Sequence, residues 1–289
     1  MSESNQRIEL GTDYLEEESP EQIFSLPYDA IRDGLKFFTD HLMQIHITGK
    51  ENIPETGGCI IICNHTDYLD VPIQVVAAPR KIYFLGKSEL FEPEKEVEQI
   101  LDSLPFADSP LSALFRPIVE GAVGLYGTLH REILKQLGGI PVDRDHRGPT
   151  PRETLKYFQE LEAYLVGVLK QGDALSIFPE GTRSRTGMMN PFKPMTAGLA
   201  IKAGVPIVPC GINGAYQLSS PTSLLTGELF RRDIFFNVGS PIHPDQYPQE
   251  DLKRAARMIT EDLEKQVFAL SQHGERRKEG RLQSPKGDS

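Results

Sequence analysis

Apolar residues recur along this chain in two rhythms. Short unbroken runs, bounded by glycine, proline or charge, read as buried strands. They cover residues 59–63, 81–85, 174–178, 205–210 and 233–238, with a short one at 140–142. Residues 44–48 alternate polar and apolar, which also reads as a strand. Helical spacing appears in Ile31, Leu35, Phe38 and Leu42, predicting a helix over 28–41. Leu155, Phe158, Leu161, Leu165, Val168 and Leu169 form the inner face of a helix over 153–170, and a long final helix is expected over 251–270. Shorter helices are expected at 70–78, 129–137 and 196–203. Residues 103–128 are apolar but interrupted by Asp108, Pro110, Arg116, Pro117 and Glu120, with a helix-like part from Leu111.

Strands and helices alternate. That order predicts an α/β fold: a mixed, largely parallel central sheet flanked by helices, with an N-terminal helical segment. The expected organisation is an acidic segment and helix over 1–42, a main domain over 43–270, and a disordered tail over 271–289. Within the first segment, residues 1–26 are acidic and weakly patterned. Residues 92–102 are acidic and expected to face solvent. The apolar face of the helix at 28–41 either docks on the core or meets a membrane.

Composition narrows the function classes. The chain has 289 residues, 39% hydrophobic and 25% charged, enough for a substantial core. A formal net charge of -10 argues against nucleic acid as a partner. Cys59, Cys63 and Cys210 lie in apolar runs without metal-ligand partners and read as small buried hydrophobes in a reducing compartment. The polar, acidic first residues do not form a signal peptide. No run of about 18 apolar residues predicts a membrane-spanning helix.

The candidate chemistry begins at the end of the run 59–63, in Asn64-His65-Thr66-Asp67-Tyr68-Leu69-Asp70. If a helix starts there, Asp70 folds back beside the imidazole of His65, giving a base held by an acid. No serine or cysteine nucleophile accompanies the pair, so the nucleophile belongs to the substrate, as a hydroxyl would. The plainer alternative is a helix cap from Asn64, Thr66 or Asp67 beside a structural histidine.

A second constellation, Phe178-Pro179-Glu180-Gly181-Thr182-Arg183-Ser184, leaves another strand end. Gly181 permits a tight turn that points N–H groups at an anion. Thr182 and Ser184 add hydroxyls, and Arg183 offers a fork suited to phosphate. Glu180 accepts from a hydroxyl group or holds Arg183. Here the plain alternative is a polar turn with a surface Arg–Glu pair. Arg144, Lys87 and Lys193 are further cations at strand or loop ends. His130, His146 and His243 lack metal-ligand spacing, and no metal is called for.

His65-x4-Asp70 resembles the His-x4-Asp signature of the glycerolipid acyltransferases, the family of 1-acylglycerol-3-phosphate acyltransferases. Gly139-Ile140-Pro141-Val142-Asp143-Arg144 resembles that family's Gly-x4-Arg block, residues 178–184 its Phe-Pro-Glu-Gly-Thr-Arg-Ser block, and 205–209 its Val-Pro-Ile-Val-Pro run, all in order. The resemblance implies transfer of a fatty acyl group, from acyl-CoA or acyl carrier protein, to the sn-2 hydroxyl of 1-acylglycerol 3-phosphate. His65 and Asp70 would be catalytic; Arg144, Glu180, Gly181, Thr182, Arg183 and Lys193 would bind substrate. It implies no cofactor besides the acyl donor, and a peripheral enzyme on the cytoplasmic side of a membrane. Glycerol 3-phosphate or another lipid acceptor, and a non-catalytic lipid-binding module, stand as alternatives. Two features depart from the family: Pro194-Met195 follow Lys193 where a glycine is usual, and the N-terminal region lacks a long hydrophobic anchor.

Overall fold

In a computed structural model, residues 27–94 and 110–271 are described. The expectations for 1–26, for most of 92–102, and for the tail past Ser271 lie outside those residues. The described residues divide into two units, one holding 32–84 and 162–271, the other 27–31, 85–94 and 110–161.

The larger unit is built on β1 (Gln44–Thr48), β2 (Cys59–Cys63), β3 (Ile82–Lys87, whose last residues pass into the smaller unit), β5 (Ala174–Ile177), β6 (Ile207–Asn213) and β7 (Asp233–Val238). Their order is β1-β7-β6-β2-β5-β3. Strand β2 runs parallel to β5 and to β6, with Ile60 opposite Ile207 and Cys63 opposite Cys210. Strand β3 is parallel to β5, and β1 to β7. The β6–β7 junction is antiparallel, which makes the sheet mixed. Strands covered on both faces need apolar residues at every position. Every residue of β2, β5 and β6 is buried, whereas β7 alternates. Burying each of Ile60, Ile61 and Ile62 is worth roughly 1.5–3 kcal/mol.

Three helices of this unit lie close to expectation: α1 (Tyr28–Leu42), which begins in the other unit, α2 (Asp70–Ala77), and α5 (Met195–Ala203), which ends at Gly204 with φ +69°. The last helix, α7 (Leu252–Ser271), buries Ala255, Ile259, Leu263 and Val267 at a four-residue interval. Its end approaches β6 closely. A Cβ on Gly211 would stand 2.2 Å from the backbone nitrogen of Ser271, so only glycine fits. One helix went unforeseen, α6 (Pro221–Thr226), started by the Ser220 side chain accepting from the Ser223 N–H at 3.2 Å and closed by Gly227 at φ +69°. Strand β6 also runs later than the expected 205–210.

The smaller unit contains β4 (Gly139–Val142), the neighbour of β3, with α3 (Pro110–Gln136) and the start of α4 (Pro151–Lys170). Helix α3 is continuous, in place of the interrupted segment and separate helix expected. Pro117 lies within it, at the expense of one backbone hydrogen bond. Helix α4 starts two residues before the periodicity does. Thr150 and Glu153 exchange backbone N–H and side-chain contacts at 3.3 Å, a capping box with Pro151 at the first helical position. Phe91 packs against Gly139, where a Cβ would come within 2.9 Å of its ring. Among the described residues no helix is long and apolar enough to cross a membrane.

Candidate active site

The chain leaves β2 at Asn64, and a set of hydrogen bonds fixes the turn that follows. The Asn64 side chain donates to the carbonyl of Ile212 at 3.0 Å and accepts from its N–H at 2.8 Å, fastening the turn to β6. Asp67 accepts from the N–H groups of Leu69 and Ser219, at 3.1 and 3.2 Å. Helix α2 has no side-chain cap at Leu69, so these residues brace a turn instead of capping a helix.

Asp70 opens α2 with its side chain sealed from solvent. Its Oδ2 lies 2.9 Å from His65 Nδ1 and accepts from the N–H groups of Thr66 and Asp67 at 2.6 and 2.9 Å. Burial pushes this carboxyl above its usual range, while the hydrogen bond from His65 and then the backbone donors pull the other way. An ionised carboxylate only accepts, so it places the proton of His65 on Nδ1 and leaves Nε2 as the basic nitrogen. The ring stacks on Phe178, centroids 3.9 Å apart and 16° from parallel, and 20% of the side chain remains exposed. The imidazole is thus fixed in plane and tautomer but open to a substrate.

The segment following β5 grips the same histidine. Glu180 Oε1 accepts the His65 N–H at 2.8 Å, and the Ser184 N–H donates to the His65 carbonyl at 2.8 Å. The other oxygen of Glu180 accepts from Asn190, from its backbone N–H at 2.7 Å and its side-chain amide at 2.8 Å. Both oxygens point inward, and burial raises this carboxyl above its usual range against the hydrogen bonds from Asn190 and His65. Among these contacts is none to Arg183. Ser184 Oγ donates to the Met188 carbonyl at 2.6 Å, so that hydroxyl stabilises the loop.

Arg183 instead lies over the ring of Tyr68, with Cζ 3.8 Å from its centroid. Among the described residues no acceptor takes its guanidinium N–H groups and no carboxylate pairs with Lys193. Thr182, immediately before Arg183, is exposed. Gly181 has φ +73° and is covered by the Lys193 side chain, whose Nζ would stand 2.7 Å from a Cβ added there. The Lys193 N–H donates to the Pro179 carbonyl at 2.9 Å, and α5 starts two residues later, at the Pro194-Met195 departure noted above. His65, Asp70, Glu180, Gly181, Thr182, Arg183 and Lys193 therefore belong to one pair of interlocked turns. Replacing Gly181 with alanine is expected to cost about 1–2 kcal/mol from the left-handed backbone alone and to displace Lys193. Chemical denaturation measures the first effect, and acceptor KM the second.

Arg144 belongs to the smaller unit. It is exposed just after β4; the hydrogen bond to Glu89 raises the pKa of Lys87, and the charge of Arg144 is a minor influence the other way. Beside it the Asp143 N–H donates to the Tyr157 hydroxyl at 3.0 Å, and Asp143 Oδ2 is 3.3 Å from His146 Nδ1. Asn64, Asp67 and Tyr68 lie inside the histidine stretch, but the sequence assigns them no catalytic or substrate-binding role, and Asn190 carries no sequence signal for its part. Among the described residues no group of three or more His, Cys, Asp or Glu side chains is arranged to hold a metal ion.

Residues 44–105 and 115–213 match the family described as Acyltransferase. The chain is similar to the 1-acyl-sn-glycerol-3-phosphate acyltransferase of Bacillus subtilis (strain 168), 25% identical over 245 residues, which are 84% of this chain and 96% of that protein. A second protein of that name, from Borreliella burgdorferi, is 24% identical over 221 residues, covering 76% and 67% of the two chains. The crystal structure of the 1-acyl-sn-glycerophosphate acyltransferase PlsC from Thermotoga maritima aligns with a TM-score of 0.53 over 85% of this chain and 82% of its own. At 20% identity that likeness is one of fold.

Proposed function

This chain belongs to the glycerolipid acyltransferase family, and on that premise we propose that it moves a fatty acyl group from acyl-CoA or acyl carrier protein to the sn-2 hydroxyl of 1-acylglycerol 3-phosphate, making phosphatidic acid. The observation that carries the reading is the bracing of the His65–Asp70 pair against a turn that bears Arg183 and Lys193, two cations without an acidic partner among the described residues.

In this mechanism Nε2 of His65 takes the proton of the acceptor hydroxyl as its oxygen attacks the thioester carbonyl carbon. Asp70 holds the tautomer and stabilises the imidazolium. When the tetrahedral intermediate collapses, the C–S bond breaks. The imidazolium returns its proton to the departing thiolate, so the histidine ends as it began. Arg183, Lys193 and the 181–182 turn hold the acceptor phosphate. Glu180 serves by holding the histidine turn. The acceptor is a lipid, and an exposed apolar face of α3, bearing Leu125, Tyr126, Leu129 and Ile133, supports a peripheral membrane site.

The test is an acceptor panel with one labelled acyl-CoA. The reading predicts labelled phosphatidic acid from 1-acylglycerol 3-phosphate. Labelling of glycerol 3-phosphate alone would redirect the acceptor assignment, and binding to phospholipid vesicles without any transfer would favour a non-catalytic module. Arg183→Ala should raise the KM for the phosphorylated acceptor about 10- to 100-fold, the loss of one charge-assisted contact. An unchanged KM removes Arg183 from the phosphate site.

A further inference from the structure

Tyr68 lies in the middle of the histidine turn and is 60% exposed. A residue so exposed gains little from burial, and core packing does not account for its place. Its contact is with Arg183, whose guanidinium carbon lies 3.8 Å from the ring centroid. Both supports are rigid. The backbone around Tyr68 is fixed by the hydrogen bonds of Asp67 to Leu69 and Ser219 and of Asp70 to Thr66 and Asp67. Arg183 sits between Glu180 and Ser184, each bonded to the backbone of His65. The stack therefore joins the turn carrying the base directly to the side chain carrying the charge.

We infer that Tyr68 is a positioning residue for acceptor recognition, its ring holding the Arg183 guanidinium flat so that the N–H edge is presented to the acceptor phosphate. The inference rests on the reading of Arg183 as a phosphate-binding cation. Stacking on an aromatic face satisfies the guanidinium plane and leaves all of its N–H donors in the edge, where two can meet one phosphate. A free arginine side chain would sample many rotamers and lose that freedom on binding. A stacked one has already lost it. Tyr68 is also three residues from His65, so it sets where the charge sits relative to the base.

Steady-state kinetics of the full chain test this, with acyl-CoA as donor and 1-acylglycerol 3-phosphate or 1-acylglycerol as acceptor. Tyr68→Leu keeps an apolar side chain but no π face. It is expected to raise the KM for the phosphorylated acceptor about 5- to 20-fold and to leave kcat within about threefold, the pattern of lost binding without lost chemistry. Tyr68→Phe and Tyr68→Trp should stay within about threefold of wild type, because both retain the face. In an Arg183→Ala background, Tyr68→Leu should add nothing further, since the two residues act as one unit. The inference is overturned if leucine serves as well as tyrosine, if phenylalanine fails as badly as leucine, or if both acceptors suffer equally. Arg183→Ala alone separates two kinds of failure. A raised KM there, with no effect of Tyr68→Leu, defeats this inference only. An unmoved KM defeats the phosphate reading and the inference with it.

Discussion

Replacing His65 with alanine is expected to lower kcat for acyl transfer by about two to four decades, the usual worth of a positioned general base. The acceptor hydroxyl is a poor nucleophile while it keeps its proton, and of the described histidines paired with a carboxylate, His46, His65 and His146, only His65 has a partner sealed from solvent. The fold should survive. The turn is held by backbone N–H and carbonyl groups at His65, and those remain in alanine. The loss of the Phe178 stack leaves a partly open site, not a sealed cavity. Circular dichroism and a melting curve establish folding, and the rate is then read on the folded variant. A folded His65→Ala protein with near-normal kcat contradicts the assignment.

Asp70→Asn should be comparably damaging to rate, and its stability should move the other way with pH. One carboxylate oxygen accepts three N–H groups while Oδ1 has no partner among the described residues. An asparagine can present its carbonyl to those donors, but its NH₂ then occupies the unpartnered position and its charge no longer supports an imidazolium. A loss of about two to four decades in kcat is expected. The Asp70 pKa is raised in the folded protein above its ordinary 3.8. A carboxyl raised on folding binds its proton more tightly in the native state, so its ionisation lowers stability as pH rises from the unfolded value through the folded one. Asparagine carries no such penalty. The melting temperature of the variant minus that of wild type should therefore be more positive at pH 8 than at pH 4. A difference that falls with rising pH refutes the argument. Activity and stability are opposed at this residue, as is common where a charge is buried for chemistry.

Much of this architecture can be read from residue order. A strand covered on both faces must be apolar throughout, and Cys59-Ile60-Ile61-Ile62-Cys63 announces that directly. His65 and Asp70 are legible because five residues of turn and helix start are enough to bring them together. Glu180 is legible as a motif member but not in its work, because its partner is a backbone N–H 115 residues away. Backbone donors carry no sequence signature. The same holds for Asn64, whose side chain pairs with the main chain of Ile212. The antiparallel direction of β7 depends on the connection through 214–232, where α6 went unnoticed although Ser220-Pro221 and Gly227 mark its two ends. The capping box at Thr150 was equally available in the residues and moves the start of α4 earlier. Pro117 misled in the opposite sense. Proline is a strong local breaker, yet α3 continues through it.

The most direct test is the ratio of kcat/KM for 1-acylglycerol 3-phosphate to that for 1-acylglycerol, measured in wild type and in His65→Ala. One imidazole and one cationic turn serving the same acceptor predict a ratio of about 10–100 in wild type, from phosphate contacts alone. They also predict that His65→Ala lowers both values together and leaves the ratio standing. Equal use of the two acceptors by the wild-type protein, or transfer undiminished without the imidazole, would contradict it.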